Sequence, residues 1–194
     1  MAVIVGMTGA TGAVYGIELL RILKEVGVDR HLVMTKAAAL TLNLESDWSL
    51  KELHGLATQV HSVGDIGASI SSGSFPTNGM IIAPCSIKTL SGVVNSYEDN
   101  LLLRAAGVTL KEGRKLVLMV RETPLHAGQI RLMQLAAEIG ATVFPPVPAF
   151  YHRPKTVEDI VHQSCARALD QLGLHVEVPR WHGVGEHLRG GGAS

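Results

Sequence analysis

The residues of this sequence that could do chemistry collect where apolar runs end. Gly79-Met80-Ile81-Ile82 runs into Ala83-Pro84-Cys85-Ser86-Ile87-Lys88-Thr89, and helical spacing follows. A buried strand ending in such a turn delivers hydroxyls, a lysine and free backbone N–H groups to a helix start. Four unpaired donors and the positive end of the helix dipole attract a phosphate or an electron-rich ring there. An ordinary strand–helix connection with a serine cap accounts for the same residues. The other strand ends must decide.

Ala2–Met7 is followed by Thr8-Gly9-Ala10-Thr11-Gly12, in which glycines recur at every third position from Gly6. That spacing matches neither the dinucleotide fingerprint nor the phosphate loop of nucleotide triphosphatases. Thr35 and Lys36 close the second apolar run, where a dinucleotide site wants an acid for the ribose diol. A mononucleotide such as FMN fits these residues and NAD fits poorly, while close helix–sheet packing is a second reason for the glycines. Arg121 and Glu122 end a later apolar run, and a charge at such a mouth wants an anionic partner. Arg104 and Lys111 stand seven apart in a helical segment, hence on one face, as phosphate-binding cations or as solvated charges. Pro145 through Pro154 is a proline-stiffened loop that could hold Tyr151 at a site or simply pack it.

These residues need a scaffold. Short apolar runs alternate with amphipathic segments: strands at Ala2–Met7, His31–Thr35, Gly79–Ala83, Lys115–Arg121 and Ala141–Phe144. Helices are expected at Val14–Val26, Lys36–Leu44, Leu50–Ala57, Leu101–Lys111, from Thr123-Pro124 to Ile139, and at Thr156–Leu172. The pattern specifies a single-domain, doubly wound α/β sheet, mostly parallel, with helices on both faces. In such a sheet ligands bind at the carboxyl ends of the strands, where the polar residues of this sequence collect. Ser69 to Asn78 reads as a loop, and residues 183–194 as a disordered tail after a domain spanning 1–182.

Composition removes several classes of function. Of 194 residues 46% are hydrophobic and 18% charged, and 17 Lys+Arg balance 17 Asp+Glu, so no basic field is available for nucleic acid. Two cysteines make neither a disulfide framework nor a metal motif, and no run is long enough for a membrane span. Cys85 reads as a buried thiol rather than a nucleophile. The nine histidines form no zinc-binding spacing, and no nucleophile elbow occurs. A cytoplasmic, metal-free protein is expected.

Over residues 2–182 the chain resembles the flavin prenyltransferase family. The resemblance rests on Gly6-Met7-Thr8-Gly9-Ala10-Thr11-Gly12, Ser69-Ile70-Ser71-Ser72-Gly73-Ser74-Phe75 and Pro84-Cys85-Ser86-Ile87-Lys88-Thr89. It extends through Arg104–Glu112, Val120-Arg121-Glu122-Thr123-Pro124-Leu125 and Pro145–Pro154. The family implies metal-free alkylation of reduced FMN at N5 by dimethylallyl phosphate, phosphate loss, and a second bond at C6. The product, prenylated FMN, would serve a UbiD-type decarboxylase in ubiquinone synthesis or phenolic acid breakdown. By matching positions, Gly9, Ala10, Thr11, Thr35, Ser86, Ile87, Lys88, Thr89 and Arg121 should hold FMN. Tyr151 and Arg167 should hold dimethylallyl phosphate, with Lys111, Arg104 and Glu122 lining its phosphate. Glu45 and Ser72 match positions that assist proton movement or the leaving group. The family's first loop often reads Gly-Ala-Ser, so Thr11 departs while keeping the hydroxyl. Family members share the site between subunits of a dodecamer. A cysteine decarboxylase of the related FMN-binding group and a non-catalytic flavin-binding subunit are the rival readings. The former group has Pro-Ala-Ser-Ala-Asn-Thr at the third block and needs an early catalytic His, for which His31, inside a strand, is a poor candidate.

Overall fold

A computed structural model describes residues 1–184 of the chain; the final ten residues of the expected tail lie outside the described residues. Its centre is a six-stranded sheet in the order β3-β2-β1-β4-β5-β6. In chain order the strands are β1 Ala2–Met7, β2 Arg30–Met34, β3 Gln59–His61, β4 Thr77–Cys85, β5 Lys115–Val120 and β6 Thr142–Val143. Every neighbouring pair is parallel, so the expected mostly parallel sheet is wholly so among the described strands. The helices are α1 Ala13–Glu25, α2 Lys36–Glu45, α3 Leu50–His54, α4 Ile87–Val94, α5 Leu101–Lys111, α6 Ala127–Glu138 and α7 Val157–Asp170.

The sheet separates two apolar layers. Leu19, Leu20 and Leu23 of α1 meet Cys165 and Leu169 of α7 over one face. On the other, Leu90 of α4 and Leu102 and Ala105 of α5 cover Met80, Ile82, Leu116 and Leu118. Each fully buried Leu or Ile contributes roughly 1.5–3 kcal/mol. Gly16 lets α1 approach the sheet: a Cβ there would stand 2.7 Å from the Ala83 carbonyl oxygen and from Met7.

Several expected boundaries move. The strand expected at Gly79–Ala83 runs from Thr77 through Pro84 to Cys85, because apolar burial continues past the proline. Inside the expected Ser69–Asn78 loop lies a 3₁₀ turn, Ser69–Ser71. Thr123-Pro124 does not open α6. The helix starts at Ala127, where His126 accepts from the Gly128 N–H and the Gln129 side chain accepts from the His126 N–H. β3 escapes the sequence reading, since three residues flanked by polar ones give no usable period. Both cysteines are free and buried, and burial pushes the Cys85 thiol up to about 12, so it is no nucleophile.

Candidate active site

The strand order reverses direction between β1 and β4, so the crevice of this fold opens beyond Met7 and Cys85. Thr8 closes its floor. Buried beneath the loop, its hydroxyl donates to the Pro84 carbonyl at 2.6 Å and accepts from the Ser86 N–H at 2.9 Å. The glycine loop and the Pro84–Thr89 turn are thereby joined. Ser86 caps α4 by accepting from the Thr89 N–H at 3.3 Å, and Thr35 caps α2 by accepting from the Ala38 N–H at 3.1 Å. The Ser86 hydroxyl donates in turn to Thr89 Oγ1 at 3.2 Å, whereas the Thr35 hydroxyl keeps a proton to donate outward, and free N–H groups of two helix starts lie beside them.

Gly9 cannot be replaced without movement, because a Cβ there would lie 2.4 Å from that of Ala37. Gly12, at φ 103, turns the loop into α1. Glu45, the last residue of α2, reaches back to accept from the N–H groups of Gly12 at 2.8 Å and Ala13 at 3.1 Å. A carboxylate here complements the positive end of α1. Burial raises the Glu45 pKa, but the Thr11 hydroxyl, the two N–H groups and the Arg121 charge outweigh it and hold the carboxyl below its usual range. Arg121 donates from Nε to the Thr11 carbonyl at 3.3 Å and lies over the Tyr15 ring at 5.7 Å. Thr8 to Gly12, Thr35, Glu45, Ser86 and Arg121 therefore form one cradle. Ile87 packs against the core, and Thr89 is buried with its N–H and hydroxyl both bonded to Ser86. Lys88 is exposed and lines a separate groove of about 430 Å³ with Ser91, Asn95, Tyr97 and Asp99. Glu122 is exposed beside Arg121.

Arg104 and Lys111 do share a face of α5, and it meets the Ser69–Phe75 segment. Arg104 donates to the Ser71 carbonyl at 3.2 Å and to Glu98 at 2.6 Å. Lys111 pairs with Glu112 at 2.6 Å, and its Nζ would lie 3.0 Å from a Cβ on Gly73. Ser72, exposed, exchanges a hydrogen bond with Ser74 at 2.9 Å. Arg114, which the sequence reading passed over, fixes this segment by donating to the carbonyls of Phe75 and Gly73 at 2.8 and 2.6 Å. Lys111 does not join Arg121 in one subsite of the chain, as their shared cationic character suggests. It precedes the amino end of β5 and Arg121 follows the carboxyl end, so the strand's six residues place them about 20 Å apart.

The third group surrounds Tyr151. A cavity of about 190 Å³ is lined by Phe144, Pro145, Val147, Ala149, Tyr151, Gln163, Ser164 and Arg167, which brings the two expected substrate residues together. The Tyr151 hydroxyl donates to the Pro179 carbonyl at 3.2 Å, and its ring meets Trp181 edge-on at 6.0 Å. Arg167 donates to Asp170, which also accepts two bonds from Arg180, at 2.8 and 3.0 Å, and one from His175. Burial raises the Asp170 pKa, but these donors win and bring it down to about 2. The sequence hinted at this clamp only through an arginine three residues before an acid in the last turn of α7. A second cavity, about 750 Å³, lies between α1 and α7 and includes Glu45, Trp48, His152 and Gln163 in its wall.

Residues 1–169 match the family model described as Flavoprotein. A flavin prenyltransferase UbiX of Thauera aromatica is 59% identical over 184 residues, covering 94% of this chain and 95% of that protein. A UbiX protein crystallised with FMN and dimethylallyl pyrophosphate superposes with a TM-score of 0.89 at 43% identity, covering 93% of this chain and 98% of its own. A dodecameric FMN-dependent UbiX-like decarboxylase from Escherichia coli O157:H7 gives 0.90 at 52% identity, covering 95% and 100%. With a cradle at the fold's crevice and relatives matched over nearly their whole length, the chain belongs to the flavin prenyltransferase family.

Proposed function

We propose that this chain joins the dimethylallyl group of dimethylallyl phosphate to reduced FMN, forming bonds at N5 and C6 and releasing phosphate. The observation that carries the reading is the cradle at the β1/β4 crevice, where helix-start donors, the Thr35 hydroxyl and Arg121 converge beside Thr11 and Ser86 while β2 ends without an acid. That donor set suits one phosphate and a ring system, and it suits a dinucleotide poorly. FMN, as substrate, supplies the electron-rich nitrogen.

The residues of the chain then divide the work. Gly9, Ala10 and Thr11, with the Thr35 and Ser86–Thr89 helix starts and Arg121, hold FMN, Lys88 from the outer edge. Tyr151 and Arg167 take the phosphate of the dimethylallyl donor. Lys111 and Arg104, with Glu122, line the departing phosphate, and the two cations offset the charge that develops on it. Glu45, ionised and aimed at the glycine loop, and Ser72 assist proton movement or the leaving group.

Within one chain Lys111 stands about 20 Å from Arg121 along β5, so it reaches this site from another copy. The oligomer is therefore part of the proposal, a dodecamer as in the Escherichia coli O157:H7 neighbour. α6 supports it: Ala136 is its one buried residue, while Ile130 and Leu135 stay exposed with Ile139 at its end and the loop residues Val147 and Phe150. Two free cysteines and the absence, among the described residues, of a helix able to cross a membrane suit a cytoplasmic enzyme whose prenylated FMN passes to a UbiD-type decarboxylase. A cysteine-decarboxylase reading is not favoured, since His31 is bonded to His61 near the amino end of β2, away from the cradle.

Incubating the protein with FMN, a reductant and dimethylallyl phosphate tests the reading. A mass gain on the flavin of one prenyl unit is expected. Folded, FMN-loaded protein that leaves the flavin mass unchanged would overturn it.

A further inference from the structure

Gln163 stands out as a buried polar side chain without an assigned role. It lies on the inner face of α7, 3% exposed, and lines both the Tyr151 cavity and the larger one beside it. Its Nε2 donates to the Tyr151 hydroxyl at 2.9 Å and to the Pro179 carbonyl at 3.1 Å. Its Oε1 is buried with no partner among the described residues. An amide accepts an orphaned oxygen only if its nitrogen is needed where it points, and turning it over would set oxygen against the Pro179 carbonyl.

The three groups form a triangle. Tyr151 and Gln163 both donate to the Pro179 carbonyl, and Gln163 also donates to Tyr151. When the Tyr151 hydroxyl turns its proton from Pro179 to a phosphate oxygen, Gln163 still serves the carbonyl, so no buried acceptor is stranded. The Gln163 N–H meanwhile occupies one lone pair of the Tyr151 oxygen, which leaves that hydroxyl as a donor toward the ligand.

We propose that Gln163 is a positioning residue for dimethylallyl phosphate binding: it keeps the Tyr151 hydroxyl poised to donate to the phosphate by holding the Pro179 carbonyl in its place. The inference rests on the assignment of Tyr151 to the phosphate site in the proposed function.

The test is a double-mutant cycle on full-length protein loaded with oxidised FMN, which cannot turn over. Binding of dimethylallyl phosphate is measured by calorimetry for wild type, Gln163→Met, Tyr151→Phe and the double variant. Gln163→Met is expected to weaken binding about tenfold, ~1.4 kcal/mol, with FMN affinity and melting temperature close to wild type. In the Tyr151→Phe background the same change should cost less than twofold, because the hydroxyl it positions is gone. Gln163→Glu should bind less well than Gln163→Met, since a carboxylate would capture the Tyr151 proton and repel the phosphate. An equal cost of Gln163→Met in both backgrounds would make Gln163 a packing residue and overturn the inference while leaving the Tyr151 assignment intact. A wild-type protein that binds no dimethylallyl phosphate, or a Tyr151→Phe variant that binds it unchanged, would remove the assignment and the inference with it.

Discussion

The cradle at the crevice and the cations of α5 hold their charges in different ways. At the carboxyl ends of β1 and β4 the polar groups are tied to partners distant in sequence: Thr8 to Pro84 and Ser86, Glu45 to Gly12 and Ala13, Arg121 to Thr11. Near the amino end of β5, Lys111 pairs with its immediate neighbour Glu112; one turn into α5, Arg104 pairs with Glu98 six residues away and also donates to the Ser71 carbonyl. The first arrangement is a rigid receptor completed inside one chain. The second is a pair of half-exposed cations whose acids, among the described residues, are close in sequence, and exposed pairs of that kind hold little energy and exchange partners cheaply. A binding site can be built in advance at the first end, whereas the second is suited to meeting a phosphate brought by a neighbouring subunit.

The sharpest way to break this contrast is to remove the cradle's central bond. Thr8→Val keeps shape and leaves the Pro84 carbonyl its bond from the residue-8 N–H at 3.2 Å, but it strands the Ser86 N–H, and a loss of about 1–3 kcal/mol is expected in urea unfolding, with FMN binding weakened as well. A loss typical of a surface threonine would mean that the cradle is not held from within. Lys111→Ala is the complementary cut. We expect kcat/KM to fall about 100-fold, ~2.7 kcal/mol, with FMN titration unchanged. If FMN binding falls in step, the two ends are one site and the contrast fails.

How the contrast was legible is itself instructive. Continuous apolar runs and the polar residues that follow them revealed the sheet, its helices and the residues of the cradle, because burial on both faces and a turn at a strand end leave local signals. Lys111 was legible as a cation and as a neighbour of Arg104, but its distance from Arg121 was not. That distance depends on the direction in which α5 returns along the sheet, a consequence of topology rather than of any residue type. Gln163 and Asp170 were missed for a related reason: each looks like an ordinary helix residue until Tyr151, Pro179 and Arg180 arrive from elsewhere in the chain. β3 was too short to carry a period.

Asp170 offers a smaller effect with a defined pH window. Its carboxyl titrates at about 2 in the fold and near 3.9 in an unfolded chain, so its contribution is complete above about pH 4 and lost as pH falls toward 2. The charged form contributes about 2 kcal/mol. Asp170→Asn should lower stability by that amount at neutral pH, and the gap to wild type should close across the window. A gap that persists at pH 2 would assign the clamp to geometry rather than charge.

The smallest expected effect separates the two ends by their response to mild acid. His31 and His61 share a hydrogen bond of 2.9 Å with rings stacked at 5.1 Å, and Phe75 packs on His31 at 5.0 Å. Burial lowers both pKa values, with the His61 charge adding to it at His31, while Asp29 and Asp65 oppose it. A base whose folded pKa is depressed stabilises the fold above its unfolded value, near 6.5, and that stability is lost as pH falls below it. Protonation adds charge to a pair that needs one ring nitrogen as acceptor, and Phe75 links the pair to the segment that Arg114 and Arg104 hold against α5. Hydrogen exchange at residues 69–76, corrected for intrinsic rates, should therefore quicken between about pH 7 and pH 5. The loop at residues 8–12 should not change, since Glu45 stays ionised there. His61→Gln should abolish the pH step at 69–76, because its amide does not titrate. An equal step in both loops, or one that survives in His61→Gln, would show that mild acid loosens the domain as a whole, and the difference between its two ends would not extend to their dynamics.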